Sequence, residues 1–276
     1  MIRYPIIDPV AFSLGPLQLR WYGCMYLLGF VSAWLLARSR ISRGGQSLPG
    51  VRPWTGEEFD DLAAWVFLGV IAGARVGYVL FYDLFMFLED PLELFRIWHG
   101  GMSFHGGLLG VLLAFWYFTR KSARSFLEIS DFMAPLIPPG LFFGRIGNFI
   151  NAEHWGTPSD LPWAMLFPGA GPLPRHPSQL YEAALEGIVL FAVLWAVSSR
   201  KCGKGLVSGL FALLYGVFRC AMELVREPDA HIGYLAFGWL TLGQLLSVPL
   251  ILVGIWLIAR ARNAGANYGV STFFCG

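Results

Sequence analysis

Charged residues are scarce in this 276-residue sequence. Asp, Glu, Lys and Arg make up 14% of the chain, whereas 56% of the residues are hydrophobic and the mean hydropathy is +0.57. Soluble domains usually contain about 25% charged residues, so this chain has too few of them to cover a water-facing globule. The shortage argues against an ordinary soluble domain and favours a protein that lies in a membrane.

Cysteine is also scarce, and we expect no cleavable signal peptide. No Cys-x-x-Cys pair and no Cys/His cluster at metal-ligand spacing occurs, so we expect neither a disulfide framework nor a zinc site. The first nine residues contain an aspartate and a proline where a cleavable signal peptide would have an apolar run. The four cysteines are Cys24, Cys202, Cys220 and Cys275.

Long apolar stretches are what the sequence has in abundance. A helix needs roughly 20 apolar residues to cross a hydrocarbon core, and seven stretches approach that length, although several are marginal. They cover residues 17–37, 62–82, 102–118, 128–150, 180–198, 206–225 and 238–259. We predict an all-α membrane protein with about seven transmembrane helices in one polytopic domain, residues 1–262. Residues 263–276 are predicted to form a disordered cytoplasmic tail.

Basic residues are distributed unevenly between the predicted loops. Twelve of the twenty Lys and Arg residues lie in loops on one side of the membrane, within residues 38–52, 120–124, 200–204 and 260–262. Because cytoplasmic loops carry the excess of positive charge, the N-terminus is predicted outside and the C-terminus in the cytoplasm. An odd number of crossings agrees with this orientation.

One loop is long and unusual in composition. Residues 151–179 contain six prolines together with Trp155, Trp163 and Phe167. Long loops without regular structure tend to be functional or disordered, and aromatic side chains are typical of the membrane interface. We predict that this loop is a small, ordered periplasmic head between the fourth and fifth helices.

Four arginines interrupt the apolar stretches or lie at their edges. A charged side chain costs roughly 2.5–3.5 kcal/mol at the middle of a bilayer on insertion scales. Arg20 lies near the outer end of its helix, where its long side chain can reach the interface. The other three require a partner or an anionic ligand, and they are Arg75, Arg145 and Arg219.

The segment Gly144–Gly156 holds the densest group of polar residues. It contains one arginine, two asparagines, one glutamate and three glycines at the outer end of the fourth apolar stretch. The fork of an arginine side chain matches phosphate oxygens, so this segment is suited to a lipid headgroup. The alternative is that Arg145 pairs with Glu153 and only holds the head loop in place.

A second group of polar residues follows one helical face in the sixth apolar stretch. Tyr215, Arg219, Glu223 and Arg226 are spaced by four, four and three residues, which places them on the same side of a helix. We expect Glu223 to hold Arg219 in place. The alternative is an internal salt bridge that fastens this helix to its neighbours.

His105 is the third candidate, between glycines near the outer end of an apolar helix. Near neutral pH a histidine can accept the proton of a thiol or an alcohol. The alternative is a hydrogen-bonded packing residue. We predict no metal site, because Asp60 and Asp61 stand without a second acidic cluster.

Taken together, the motifs resemble one family, the bacterial prolipoprotein diacylglyceryl transferases. The resemblance covers nearly all of the chain up to Arg262. Two positions of the Gly144–Gly156 motif depart from the commonest pattern of the family, Ala152 and His154. The matching motifs are Asp8–Val10, Arg20–Gly23, Gly73–Tyr78, Gly101–Gly107, Gly144–Gly156, Arg175–Tyr181, Tyr215–Glu223 and Arg226–Asp229.

The resemblance implies a seven-helix enzyme of the bacterial inner membrane. Such an enzyme moves the diacylglyceryl group of phosphatidylglycerol onto the lipobox cysteine of a preprolipoprotein, forms a thioether and releases glycerol phosphate. The implied partners are these two substrates, with no nucleic acid, and the protein is expected to be a monomer. No cofactor is implied, and the thiol is supplied by the protein substrate rather than by this chain.

The resemblance also implies roles for individual residues. Arg145 and Arg219 would bind the phosphate and stabilise the leaving group, and His105 would be the base. Tyr215 and Glu223 would position Arg219. The headgroup pocket and other substrate contacts would involve Tyr22, Arg75, Asn148, Glu153, Gly156 and Arg226.

Two other classes of protein remain as alternatives. Intramembrane arginines also line the pathways of anion or lipid transporters. Transporters are often built from repeats with broken helices, and the sequence has neither a repeat nor a cytoplasmic counterpart of the arginine motifs. Glycines recur at four-residue spacing, which permits close helix contact or the approach of a ligand, at Gly69, Gly73 and Gly77, at Gly106 and Gly110, and at Gly140 and Gly144. A structural scaffold would explain these glycines but not the polar residues that cluster toward one side.

Overall fold

The computed structural model describes residues 2–15, 17–44, 52–96, 100–200, 203–227, 233 and 235–266. The chain forms two compact units, one made of Met1–Val51 and Asp131–Gly276 and the other of Arg52–Ser130. Most of the described chain is helical.

The helices, in chain order, are α1 (Trp21–Ser42), α2 (Gly56–Tyr82), α3 (Leu84–Glu89), α4 (Phe104–Ser122), α5 (Phe126–Met133), α6 (Pro138–Ile150), α7 (Ser178–Glu182), α8 (Leu190–Ser198), α9 (Leu206–Met222) and α10 (Leu242–Ala266). A π-helix, Ala183–Val189, joins α7 to α8, and 3₁₀ turns cover Pro91–Phe95 and Ala134–Leu136. The strands are β1 (Ile2–Arg3), β2 (Val10–Leu14), β3 (Leu17–Arg20) and β4 (Met165–Leu166).

Three helical segments among the described residues are long and apolar enough to cross a membrane: Gly56–Tyr82, Ser178–Ser198 and Leu242–Asn263. The pair Phe126–Leu136 and Pro138–Ile150, bent by 43°, makes a fourth if it forms one span. The other predicted stretches also contain helices, namely α1, α4 and α9. The chain is thus a mostly helical protein with three or four candidate spans, and the count of seven stays a prediction.

The unit Arg52–Ser130 is built on the close packing of α2 and α4. Glycines line the contact on both helices, and a Cβ atom added to Gly110 would lie 1.8 Å from the carbonyl oxygen of Gly69. Only glycine permits this approach, as the small residues at four-residue spacing indicated. Ser103 is the N-cap of α4, because its hydroxyl accepts a hydrogen bond from the Gly106 amide at 3.3 Å.

In the other unit, α6 packs between α1 and the π-helix, while α9 packs against α10. At the crossing of α1 and α6, a Cβ atom on Gly29 would lie 3.0 Å from the Cα atom of Gly140. The buried residues Leu190, Leu194 and Val207 form an apolar cluster that joins α8 to α9. This packing directs the polar side chains of α6, α7 and α9 toward one another.

The loop after α6 is tied to the N-terminus of the chain. Strand β1 pairs in parallel with β4, with Ile2 opposite Met165. The Tyr4 hydroxyl donates to the carbonyl oxygens of Phe149 at 2.7 Å and Ile150 at 2.8 Å, and its ring packs against Phe167. Burial raises the pKa of Tyr4 above its usual value. These contacts hold residues 151–177 as a structured loop at the end of α6.

At the C-terminus, α10 continues to Ala266. The first part of the predicted tail, residues 263–266, is therefore helical. The rest of it, residues 267–276, lies outside the described residues.

Candidate active site

Arg145 lies on α6, a helix that begins with two prolines, which suit a first helical turn because their missing amide hydrogens would have no partner there. Its guanidinium contacts two carboxylates of the neighbouring helix. Nη1 lies 3.0 Å from Oε2 of Glu182, and Nη2 lies 3.1 Å from Oε2 of Glu186. Both glutamate side chains have no exposed surface, whereas the Arg145 side chain is 17% exposed.

Glu182 is the centre of the cluster. Besides Arg145, its carboxylate contacts Arg219 of α9, with 3.0 Å between Oε1 and Nη1. Arg226, just after α9, approaches the same Oε1 atom at 3.7 Å. Three arginines from separate parts of the sequence therefore converge on one buried carboxylate. We call Arg145, Arg219, Arg226, Glu182, Glu186 and Glu223 the arginine–glutamate cluster.

The predicted polar face is present on α9 for Tyr215 and Arg219, with Glu223 at the C-cap. Arg226, however, lies beyond the end of the helix at Met222 and not on its face. Arg219 forms an ion pair with Glu223, four residues later on the same helix, as expected. The Glu223 carboxylate packs against Gly243 of α10, where an added Cβ atom would lie 2.6 Å from it. Tyr215 stacks on Phe211 with 5.8 Å between ring centroids and packs against the apolar cluster of α8 and α9. The predicted role of Tyr215 in positioning Arg219 stays a prediction.

Glu153 does not pair with Arg145 but with two asparagines and a glutamine. Its Oε1 atom accepts hydrogen bonds from Nδ2 of Asn148 at 2.8 Å and Nδ2 of Asn151 at 3.5 Å. Its backbone carbonyl accepts one from Nε2 of Gln179 at 2.7 Å. Arg145 pairs with Glu182 and Glu186, so the alternative of an Arg145–Glu153 pair is wrong.

Tyr22 of α1 reaches the same part of α6. Its ring packs against Gly147, where an added Cβ atom would lie 3.0 Å from Cδ2, and the next residue in the chain is Asn148. The Tyr22 hydroxyl also lies 3.2 Å from the hydroxyl of Tyr26. The structure therefore brings Tyr22 to the Gly144–Gly156 motif.

Gly156 lies close to two other segments of the backbone, at His176 and at Val225. Its amide donates to the carbonyl oxygen of His176 at 2.9 Å, and an added Cβ atom would lie 2.4 Å from the carbonyl oxygen of Val225. The contact connects the head loop to the segment that carries Arg226, whose Nη2 atom lies 3.1 Å from Nδ1 of His154. Burial lowers the pKa of His176, which favours its neutral form.

His105 and Arg75 belong to the other unit. His105 is exposed in the first turn of α4, with its ring edge-on to Phe104. Arg75 is buried, and its five N–H donors match five backbone carbonyls: Leu94 at 3.2 Å, Gly101 at 3.1 Å, Arg96 at 3.4 Å, Gly100 and Glu93. This geometry favours a structural role for Arg75 over the predicted contact with substrate.

The sequence analysis missed Glu182 and Glu186. Both lie in the fifth apolar stretch, where a carboxylate is as costly as an arginine, and their spacing of four residues places them on one helical face. The signal that could have identified them is a charged residue within an apolar stretch, which had marked the arginines. Applied to acidic residues, the same rule would have found them.

The cluster is suited to binding an anion. The side chains of Arg145 and Arg219 are each 17% exposed, whereas the glutamates that hold them are almost or entirely buried. An incoming anion would therefore meet the guanidinium groups first, in surroundings where charge-assisted hydrogen bonds are strong. Within the described ranges, no group of three His, Cys, Asp or Glu residues is arranged to hold a metal ion.

Comparisons with known proteins agree with the resemblance seen in the motifs. The family model "prolipoprotein diacylglyceryl transferase" matches residues 9–260. A phosphatidylglycerol–prolipoprotein diacylglyceryl transferase of Nitratidesulfovibrio vulgaris is 61% identical over 267 residues, which are 97% of this chain and 99% of the relative. A protein of the same name from Pseudomonas aeruginosa is 56% identical over 266 residues, 96% of this chain and 98% of the relative. The chain belongs to the prolipoprotein diacylglyceryl transferase family.

Proposed function

We propose that this protein transfers the diacylglyceryl group of phosphatidylglycerol to the lipobox cysteine of preprolipoproteins, the first step of bacterial lipoprotein maturation. Membership of the family and the names of its relatives support the reaction. The observation that carries the assignment of the site is the convergence of Arg145, Arg219 and Arg226 on buried carboxylates. A phosphodiester is the part of the lipid that such a cluster can recognise.

In the proposed reaction the cysteine sulfur attacks the carbon of the diacylglyceryl group that is bonded to the phosphate oxygen. A carbon–sulfur bond forms, the carbon–oxygen bond to the phosphate breaks, and the electron pair leaves with glycerol phosphate. Charge therefore develops on the departing phosphate, where guanidinium groups already held in place stabilise it. Arg145 and Arg219 are proposed to do this, and Glu223 positions Arg219.

The thiol must lose its proton, because the thiolate is the nucleophile. We propose His105 as the base, on the strength of its motif. Tyr22, Asn148, Glu153 and Gly156 are proposed to shape the headgroup pocket, and Tyr215 to support Arg219.

The location in the cell is also part of the proposal. Seven crossings of the bacterial inner membrane would place the N-terminus and the head, residues 151–179, on the periplasmic side and the C-terminus in the cytoplasm. The distribution of basic residues supports this orientation. We further propose that residues 1–262 act as one catalytic domain in a monomer.

The direct test is reconstitution. Purified protein is incubated with phosphatidylglycerol and a synthetic lipobox peptide, and mass spectrometry follows the peptide while released glycerol phosphate is measured separately. We expect both products in equal amounts, and none with a peptide whose cysteine is replaced by serine. If a relative from the family works under the same conditions and this protein forms no product, the proposed function is wrong.

A further inference from the structure

Glu186 differs from the other carboxylates of the arginine–glutamate cluster. It lies in the π-helix, its side chain has no exposed surface, and its Oε2 atom accepts hydrogen bonds from Nη2 of Arg145 at 3.1 Å and Nε at 3.4 Å. Its Oε1 atom has no hydrogen-bond partner and no ion pair among the described residues, whereas Oε2 of Glu182, which also lacks a hydrogen bond, lies 3.0 Å from Nη1 of Arg145. A buried carboxylate oxygen without a partner is costly, so this arrangement calls for an explanation.

The ion pairs of the cluster are unequal. Glu182 is held by Arg145 and Arg219 together, with Arg226 close by. Glu223 is held by Arg219 within one helix and is packed against α10. In the described part of the chain, Glu186 has a single ion pair, with Arg145. Of the three glutamates, Glu186 can lose its arginine with the least disturbance to the rest.

Glu186 occupies an edge of Arg145 that can bind a phosphate through two hydrogen bonds. The Nε and Nη2 atoms of a guanidinium form one side of its fork and match two oxygens of an anion. Both atoms now share the single Oε2 oxygen of Glu186, at unequal distances. Meanwhile Nη1 lies against Glu182. A phosphodiester can therefore take the Nε–Nη2 edge while Arg145 stays paired with Glu182.

The charges of the cluster lead to the same conclusion. Its three arginines and three glutamates cancel formally, and a phosphodiester brings one negative charge. Adding that charge to a neutral, buried cluster is unfavourable unless one carboxylate gives up its place. The balance closes if the displaced Glu186 takes up a proton, because the cluster then carries one positive charge that complements the ligand.

The π-helix determines where Glu186 lies. An added Cβ atom on Gly187 would be 2.6 Å from Cβ of Phe142, so this turn packs closely against α6, the helix of Arg145. π-Helical turns within α-helices are frequently found at functional sites. Here the turn presents a carboxylate to the Nε–Nη2 edge of Arg145.

We propose that Glu186 is a displaceable counter-ion: it occupies the Nε–Nη2 edge of Arg145 until a phosphodiester replaces it, and so limits the affinity for the anionic lipid. This inference rests on the proposed function, which identifies the ligand as a phosphatidylglycerol headgroup. Glu186 is thereby a residue that tunes substrate affinity, whereas Arg145 makes the contact.

The test compares wild type with Glu186→Gln, which keeps the size of the side chain and removes its charge. Binding is measured with phosphatidylcholine nanodiscs that contain increasing fractions of phosphatidylglycerol, and with glycerol phosphate as a competitor. We expect phosphatidylglycerol to bind about tenfold more tightly to the variant, equivalent to about 1.4 kcal/mol. The KM for this lipid falls, and phosphatidylglycerol raises the Tm more than in wild type.

The control is Glu227→Gln, because Glu227 is an exposed glutamate whose ion pair is with Arg175, outside the cluster. We expect it to bind as wild type does. Equal or weaker phosphatidylglycerol binding by Glu186→Gln overturns the inference, and so does an equal gain on phosphatidylcholine alone. If Glu186→Gln does not fold, Glu186→Asp takes its place, because its shorter side chain withdraws the carboxylate from Arg145. This variant must show a smaller gain in phosphatidylglycerol affinity, and no gain overturns the inference.

The two proposals fail in different ways. Absence of lipidated peptide with the wild-type protein contradicts the proposed reaction but leaves the nanodisc measurement intact. Unchanged lipid affinity in an active Glu186→Gln variant contradicts only the role of Glu186.

Discussion

Arg145 and Glu182 form an ion pair, with 3.0 Å between Nη1 and Oε2, in which the arginine is 17% exposed and the glutamate is fully buried. The pair joins α6 to α7, and the same carboxylate reaches Arg219 of α9. Removing one partner from a buried pair leaves an uncompensated charge, which typically costs about 3–5 kcal/mol. An arginine variant can therefore lose activity because the contact with the substrate is gone or because the protein is less stable. The experiment must separate these two causes.

For Arg145→Ala we expect transfer to fall by at least about a hundredfold, as when one donor to a developing negative charge is lost. We also expect a lower Tm, because Glu186 loses its arginine. The double variant Arg145→Ala with Glu186→Gln removes both charges, so it should recover much of the Tm but none of the activity. Thermal unfolding in detergent and the transfer assay measure the two effects, with Arg260→Ala as an exposed control. Recovered activity in the double variant would make Arg145 structural.

Gly243→Ala tests whether α10 controls the position of Arg219. The added methyl group would lie 2.6 Å from the Glu223 carboxylate, so Glu223 must shift and take Arg219 with it. Small displacements of a positioning group can cost about a hundredfold in rate, and we expect a loss of that order in kcat. Gly140→Ala, a helical glycine with open space around its Cβ position, should stay near wild type. A normal rate for Gly243→Ala would show that α10 does not control the position of Arg219 through Glu223.

Arg75→Lys separates a structural role from a contact with substrate. Lysine has three donors and cannot match the five carbonyls that Arg75 engages, so buried carbonyl groups are left without partners. Each such group costs about 1–3 kcal/mol. We expect a clearly lower Tm and, below that Tm, an unchanged KM for phosphatidylglycerol. Arg120→Lys, at an exposed position of α4, is the control. A raised KM with a normal Tm would restore the role predicted from the sequence.

His105→Gln tests the proposed base. Because His105 is exposed in its unit, we expect the Tm to change little. We expect kcat to fall by about a hundredfold or more, which is typical when a general base is removed. The loss should shrink as the pH approaches about 8.5, where a free cysteine ionises without help. A pH–rate profile parallel to that of wild type would exclude His105 as the base.

Much of the site could be predicted from local patterns. The spacing of Arg219 and Glu223 on one face of an apolar helix predicted their ion pair, because an i,i+4 contact depends only on the helix itself. Glycines at four-residue spacing likewise predicted a close helix contact, observed between Gly69 and Gly110. Every apolar stretch contains a helix, since a continuous run of apolar residues leaves the backbone to satisfy its own hydrogen bonds.

The partners of Arg145 and Arg75 could not be predicted in the same way. Arg145 meets Glu186, 41 residues away, only because the π-helix packs closely on α6 at Gly187 and Phe142. Arg75 binds a cluster of backbone carbonyls between Glu93 and Gly101, partners that its own helix does not supply. In both cases the partner depends on how a helix meets a segment distant in sequence.

The sequence by itself determined the class of protein, its helices and its family, because scarcity of charge, apolar periodicity and ordered motifs are properties of the chain read locally. It also marked the arginines whose presence among apolar residues requires an explanation. For Arg145 and Arg75, tertiary structure alone decided which groups compensate the charge. A buried guanidinium takes the carboxylate or carbonyl that packing brings within about 3 Å, and that choice depends on helix crossings rather than on any single segment.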